Sequence, residues 1–325
     1  MGEFGFAFCT EKISDKGEDA PPVWGPLSED GWVLAVCDGM GGAGSFCYTG
    51  AEGKTGAKIA AESVCDWTRA FFTEPFELPG LEAVLTEKIR ALADELDGQE
   101  PSPSKLRSKL HKRLPTTFAG MVVRSVDSQW RSTSVWAGDS RCFCLSPEYG
   151  LQQLSVDDQR EQCDPFESLW LEPQMSNYVN ADTEFRLNAI DIVRDRPTVF
   201  LVATDGCFQY VETPAHFEQL LLSSLGEAES FEEWGDAVSQ AIGRVTGDDA
   251  SMALQAFGWS SFEALKSAFR SRLDWLAVLM RIGDEPSENG ERDRVAERAK
   301  IWSAYKAGYC ARMPDKLIEV GHAAN

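Results

Sequence analysis

The sequence predicts an α+β fold in which antiparallel sheets are covered by helices. Three observations carry this prediction. Short runs rich in Val, Phe, Trp and Thr recur along the chain, most of them bounded by Gly or Asp turns. Stretches with apolar residues at three- and four-residue spacing lie between groups of these runs. The order is strand, strand, helices, three strands, strand, helices and a last strand, which is not the regular alternation of a parallel doubly wound sheet.

The expected strands are residues Glu3 to Cys9, Gly31 to Cys37, Thr116 to Val123, Ser132 to Ala137, Arg141 to Leu145, Thr198 to Ala203 and Ser251 to Trp259. The first helical stretch is Ala51 to Phe72, with a stripe of Ala57, Ile59, Ala60, Val64 and Trp67. Leu81 to Leu96 follows with Leu85, Ile89, Leu92 and Leu96. Phe217 to Leu225 and Trp234 to Val245 are two more helices. Gly98 to Lys105, rich in Pro and Ser, reads as a linker between helices, and Gln159 to Asp195 as an irregular polar lobe or flap. After Trp259 the pattern changes. Phe262, Leu265, Phe269, Leu273, Leu276 and Met280, and then Val295, Ala299, Trp302, Tyr305 and Tyr309, follow helical spacing on either side of a break from Gly283 to Gly290. We therefore divide the chain into a domain of residues 1–258 and a C-terminal helical extension of 259–325. The extension is either a hairpin packed on the core or a surface for a protein partner.

The 325 residues are 43% apolar and 26% charged, enough for a sizeable core. The net charge of −21 opposes broad binding to nucleic acid or anionic membrane, whose phosphates repel such a field, and is compatible with metal cations. The acidity belongs to the front of the chain: residues after 258 sum to +1. There is no basic region followed by an apolar run at the start, no apolar stretch of membrane-spanning length, and Phe6 breaks a myristoylation pattern at Gly2. Nine cysteines without a framework indicate a reducing, cytoplasmic setting, and Cys142 and Cys144, on one face of a strand, read as core fillers. Only three histidines are present (His111, His216, His322), none in a motif, which leaves no His-rich zinc site. Phosphate-loop, nucleophile-elbow and zinc-protease motifs are absent.

What remains is carboxylate chemistry at strand ends. An apolar strand ends in Asp38-Gly39-Met40-Gly41-Gly42; another runs into Gly138-Asp139-Ser140-Arg141; a third is followed by Asp205-Gly206; Asp248 and Asp249 open the last strand; and Glu18-Asp19 follow Gly17. Each alone is a common turn signature, because Gly tolerates positive φ. Together, strands lying side by side would bring several carboxylates into one place. Their repulsion is relieved by divalent cations, and hard oxygen ligands select Mg²⁺ or Mn²⁺.

With Thr116-Thr117 added, these motifs, in this order, resemble the metal-dependent protein serine/threonine phosphatases of the 2C type over residues 3–258. The resemblance implies a four-layer α-β-β-α sandwich of two antiparallel sheets flanked by helices, with two Mn²⁺ or Mg²⁺ ions at one end. It implies that Asp38 bridges the two metals, that the Gly39 carbonyl ligates one, and that Asp205 and Asp248 hold the other. Glu18 reaches its metal directly or through water, Asp19 orients water, and Asp139 helps Asp205 hold a third, weaker ion. The implied activity is hydrolysis of phosphoserine and phosphothreonine in protein substrates by metal-activated water. Two alternatives are a non-catalytic regulatory module and a small-molecule phosphatase of the same fold.

The chain departs from the family pattern at several positions. Met40 stands where a His is often found and offers no proton. Ser14 stands where many members have an Arg for the substrate phosphate, and Lys12 or Lys16 is the candidate replacement, as a point charge without the guanidinium fork. Asp249 replaces a common Asn, and Asp157-Asp158 a common Asp-His.

Overall fold

A computed structural model of the chain describes residues 4–28, 31–72, 78–99, 111–171, 174–283 and 294–314. Ten strands form two five-stranded antiparallel sheets. The first has the order β1 (Gly5–Thr10), β10 (Ala250–Phe257), β9 (Thr198–Ala203), β6 (Arg141–Ser146) and β7 (Gly150–Gln153). The second has the order β2 (Val23–Ser28), β3 (Gly31–Val36), β4 (Phe118–Val126), β5 (Gln129–Ala137) and β8 (Asn188–Arg194).

Period-two geometry explains how these strands build four layers. Along β3, Trp32, Leu34 and Val36 enter the core between the sheets, while Val33, Ala35 and Cys37 enter the core under the helices. Along β9, Phe200 and Val202 face the opposite sheet and Val199, Leu201 and Ala203 face the other way. Both faces are buried, so the central strands are apolar without alternation. Cys142 and Cys144 share the inter-sheet core, as their spacing predicts.

One outer layer holds α2 (Gly56–Phe71) and α3 (Leu78–Gln99), following a single-turn α1 (Gly41–Gly44). Helix α2 is capped by Thr55, whose hydroxyl accepts from the Lys58 N–H at 3.1 Å, and buries Ala57, Ile59, Ala60, Ala61, Val64 and Cys65. The other outer layer holds α4 (Pro214–Glu227) and α5 (Phe231–Gly243), started by Pro214 in the first turn and by a Ser230 cap respectively. Against it lie α6 (Phe262–Ala268), α7 (Arg270–Gly283) and α8 (Arg294–Tyr309). Phe262, Leu265, Phe269, Leu276, Leu279, Ile301, Trp302, Tyr305 and Tyr309 of these C-terminal helices belong to the same buried cluster as Phe143, Phe217 and Trp234. A buried ion pair fixes the docking. Glu218 of α4, fully buried, takes both Nε and Nη2 of Arg272 of α7 at 2.7 and 2.8 Å and accepts the Tyr305 hydroxyl of α8.

The structure differs from the sequence expectation in informative places. Strands β2, β7 and β8 were not expected, and all three are sheet edges. β2 contains Gly25 and Pro26 and bulges between Pro26 and Ser28, features an edge tolerates and a central strand does not. β8 lies inside the stretch expected to be irregular; its exposed positions, Ala189, Asp191 and Val193, mix apolar and charged residues and blur the alternation. Gly98 and Gln99, read as linker, are the last residues of α3, whereas 100–105 lie outside the described residues, as do 284–290 of the second break and His322. Helix α2 starts at Gly56 rather than Ala51, after a short 3-10 turn at Thr49–Ala51.

Candidate metal centre and the pocket beside it

The strand ends named from sequence meet at one end of the sandwich. Asp38 follows β3, and its backbone carbonyl accepts from the Thr116 hydroxyl at 2.7 Å and from the Thr117 N–H at 2.8 Å. The Thr-Thr pair entering β4 thus holds the end of β3, and Gly39 bridges to Thr116. Two glycines permit the close approach of neighbouring loops. A Cβ on Gly41 would lie 1.7 Å from Glu18 Oε2, and one on Gly206 would lie 1.8 Å from the Asp249 carbonyl. A side chain at Gly41 would displace the Glu18 carboxylate, and one at Gly206 would push back the backbone that carries Asp249.

Asp19 is 1% exposed, and its Oδ2 accepts from the Thr204 hydroxyl at 2.9 Å; the Thr204 Oγ1 in turn accepts from the Ser251 N–H at 2.9 Å. The last residue before Asp205 and the second residue of β10 therefore place Asp19. Glu18 Oε1 accepts from the Thr55 hydroxyl at 2.6 Å. Asp249 does something that sequence reading did not assign to it. Its two carboxylate oxygens accept from the N–H groups of Lys12 (2.9 Å) and Glu18 (2.6 Å), tying the 12–18 loop to the start of β10. An Asn offers only one such acceptor oxygen.

Electrostatics shows the convergence most directly. Burial raises Asp38 well above the usual carboxylate range, and the charges of Asp19, Asp205, Asp139 and Asp248 raise it further. Burial, then Asp205 and Asp157, raise Asp139 well above its normal value, against the pull of Arg141. Asp205 is pushed up to about 6 by burial and Asp248. Asp19 is pushed up to about 7 by burial, with Asp205 adding to it and the hydrogen bonds from Ser251 and Thr204 opposing. Glu18 is raised by burial and by Asp249 and Asp248. A hydrogen bond with Asp38 opposes the rise of both Asp19 and Asp205. Asp205 Oδ1 is buried and has no hydrogen-bond partner. A buried carboxylate oxygen left bare among other carboxylates is costly, and a hard cation is the group that removes the cost. The donor set, all oxygen, fits Mn²⁺ or Mg²⁺. Among the described residues, no three carboxylate, cysteine or histidine side chains already close around a single point.

A pocket of about 220 Å³ opens beside Asp139, Asp205 and Asp248. Arg141 is the one cation among its described lining residues. Its Nε and Nη2 hold both oxygens of Asp157 at 2.9 and 2.7 Å, Nη2 also reaches Ser168 Oγ at 2.8 Å, and the guanidinium lies 4.4 Å from the Phe208 ring centre. Sequence reading had the Gly-Asp-Ser-Arg motif but drew no role from its arginine. The side chain of Ser14 is exposed, and its hydroxyl donates to Asp15 Oδ2 at 3.4 Å. The Lys12 ammonium donates to the Gly247 carbonyl, one residue from Asp248; Lys16 is exposed.

The family model described as Protein phosphatase 2C matches residues 22–254. The chain belongs to this phosphatase family. Solved structures agree on the fold. The serine/threonine phosphatase PstP of Mycobacterium tuberculosis is 17% identical, with a TM-score of 0.54, over 77% of this chain and 96% of that one. The serine/threonine phosphatase of Staphylococcus aureus is 19% identical, with a TM-score of 0.52, over 80% and 98%. The PstP catalytic domain in complex with two manganese ions is 17% identical, with a TM-score of 0.52, over 78% and 97%. Among curated proteins, none matches the chain by sequence. Among the described residues of this 2C-family chain, no helix is long and apolar enough to cross a membrane.

Proposed function

We propose that this 2C-family chain hydrolyses phosphoserine and phosphothreonine in protein substrates with the aid of two bound Mn²⁺ or Mg²⁺ ions. The observation that carries the reading is the meeting of Asp19, Asp38, Asp139, Asp205 and Asp248, with burial and mutual repulsion raising four of them and with Asp205 Oδ1 unpartnered. Asp38, Asp205, Asp248 and the Gly39 carbonyl would hold the two ions, Glu18 and Asp19 would complete their surroundings, and Asp139 with Asp205 would hold a weaker third. When bound, such cations neutralise the carboxylates, acidify water and offset charge on the phosphoryl group.

The chain's own residues do the rest. Thr204 and Ser251 fix the Asp19 carboxylate, so that it accepts a proton from one direction. Arg141, anchored by Asp157, keeps a positive charge at the pocket wall despite burial. The thioether of Met40 donates no proton, so the position where a His is often found supplies no acid to the leaving oxygen. The Lys12 ammonium, held on the Gly247 carbonyl next to Asp248 in the chain, would supply a second cation for the substrate phosphate.

The test is hydrolysis of p-nitrophenyl phosphate and of a phosphothreonine peptide with Mn²⁺, with EDTA, and in Asp38→Asn. Turnover with Mn²⁺ that EDTA and Asp38→Asn abolish supports the reading; wild type no faster than Asp38→Asn overturns it. One observation favours a second reading, a catalytically weakened regulatory module: Ser14 leaves no arginine in the 12–18 loop. Turnover of the small ester with none of any phosphopeptide would point instead to a small-molecule phosphatase.

A further inference from the structure

Helix α8 lies 40 residues beyond the end of the family match, yet one face of it runs along the pocket wall. Arg298, Trp302 and Lys306 follow one another at four-residue spacing, and Tyr309 falls on the same side. Each meets the pocket's surroundings. The Arg298 guanidinium lies 4.4 Å from the centre of the Trp170 ring, and its Nε is 3.5 Å from Glu212. Trp302 stacks on Phe166 with centroids 6.0 Å apart, and Lys306 pairs with Asp164. Tyr309, buried, is in electrostatic contact with Arg141 itself.

The segment they hold, residues 164–171, is short of regular structure and has one 3-10 turn at Glu167–Leu169. Asp164 organises it from within: its carbonyl accepts from the Ser168 N–H at 2.9 Å and its Oδ1 from the Phe166 N–H at 2.9 Å. From this segment Ser168, Leu169 and Leu171 line the pocket, and Ser168 Oγ accepts from Arg141. A wall made of one turn has little stability of its own, so its position depends on what packs behind it.

We propose that α8 is the positioning element for this wall: its 298–309 face holds residues 164–171 and Arg141 in place and thereby sets the affinity of the pocket for phosphorylated substrate. Charge supports the arrangement. The acidic front of the chain supplies Asp164 and Glu212, and the extension supplies the cations that meet them. None of the α8 residues touches the reacting groups; they act through the segment and through Arg141. The affinity part of the proposal rests on the phosphatase reading above; the positioning part does not.

The test uses the full chain with Arg298→Ala and Lys306→Ala combined, two changes outside the packed core, and Arg298→Lys as the conservative variant. Amide exchange across 164–171 is expected to speed up in the double variant while α2 and β3 keep their protection. KM for a phosphothreonine peptide is expected to rise roughly threefold to tenfold in the double variant, with kcat within about twofold of wild type, and Arg298→Lys alone, which keeps Lys306 and a cation over Trp170, is expected to show much less of that rise. Unchanged exchange in 164–171 overturns the proposal, as does an unchanged KM alongside a lowered Tm, which would make the contacts structural only. If wild type turns over neither p-nitrophenyl phosphate nor the peptide, the phosphatase reading fails, and the exchange measurement alone decides whether α8 positions the wall.

Discussion

Asp19 and Asp205 hold protons at pH values where carboxylates in an unfolded chain have lost them. Their folded values of about 7 and about 6 lie above the unfolded value of roughly 3.9. The folded state therefore binds more protons than the unfolded state across that interval, and stability must fall as the pH rises. In EDTA, Tm is expected to decline from about pH 4 through pH 7, with Asp38 and Asp139 extending the decline upward, and the slope is expected to flatten in Asp205→Asn. Thermal melts across pH measure this directly; a Tm that climbs between pH 5 and 7 would contradict it. At the phosphate side, Lys12→Ala is expected to raise KM more than it lowers kcat, because the lysine offers charge without chemistry. Steady-state kinetics on the peptide would expose the opposite pattern. The acidic residues were legible in the sequence, since a strand end followed by Asp-Gly can be read locally. The roles of Asp249 and Arg141 were not. One depends on N–H groups of residues 12 and 18, more than two hundred positions away, and the other on a pocket assembled from five separate stretches of chain.

Among the elements, the contact of α4, α7 and α8 is the one most sensitive to a single change. Removing Arg272 leaves Glu218 buried without its partner. Arg272→Ala is expected to cost roughly 3–5 kcal/mol, measured by urea unfolding. Replacing both residues together, Glu218→Leu with Arg272→Met, is expected to cost much less, because no unpaired charge remains. A double replacement as damaging as the single one would show that the pair does more than neutralise itself. Elements buried on both faces, such as β3 and β9, were read correctly because their apolar runs are continuous. The unread strands β2, β7 and β8 lie at edges, where exposure, Pro26 and buried glutamines erase that signal. The helices were legible through their stripes, and their ends were displaced where Pro214 and Thr55 set the start rather than the first apolar residue.

For the whole molecule, the C-terminal helices share one core with the first sheet and its helices α4 and α5, so the extension is expected to be needed for solubility. A chain ending at residue 258 would uncover the faces of Phe143, Phe217 and Leu221 that α6–α8 cover, and is expected to be insoluble or to bind a hydrophobic dye. A soluble, cooperatively melting product would show that residues 1–258 stand alone. Added Mn²⁺ is expected to raise Tm at pH 7.5 in wild type and not in Asp38→Asn, by the linkage that gives about 2.7 kcal/mol at a hundredfold excess over Kd. Pro26 has one more consequence. Any open margin of hydrogen-bonding backbone is a template on which a neighbouring molecule could grow, and β2 is such a margin. Its proline lacks a donor, and the irregularity that follows turns the strand away from a straight line. Along that side the protein is ill suited to zip onto its own copies, a safeguard against fibrous or amorphous deposits when it is crowded.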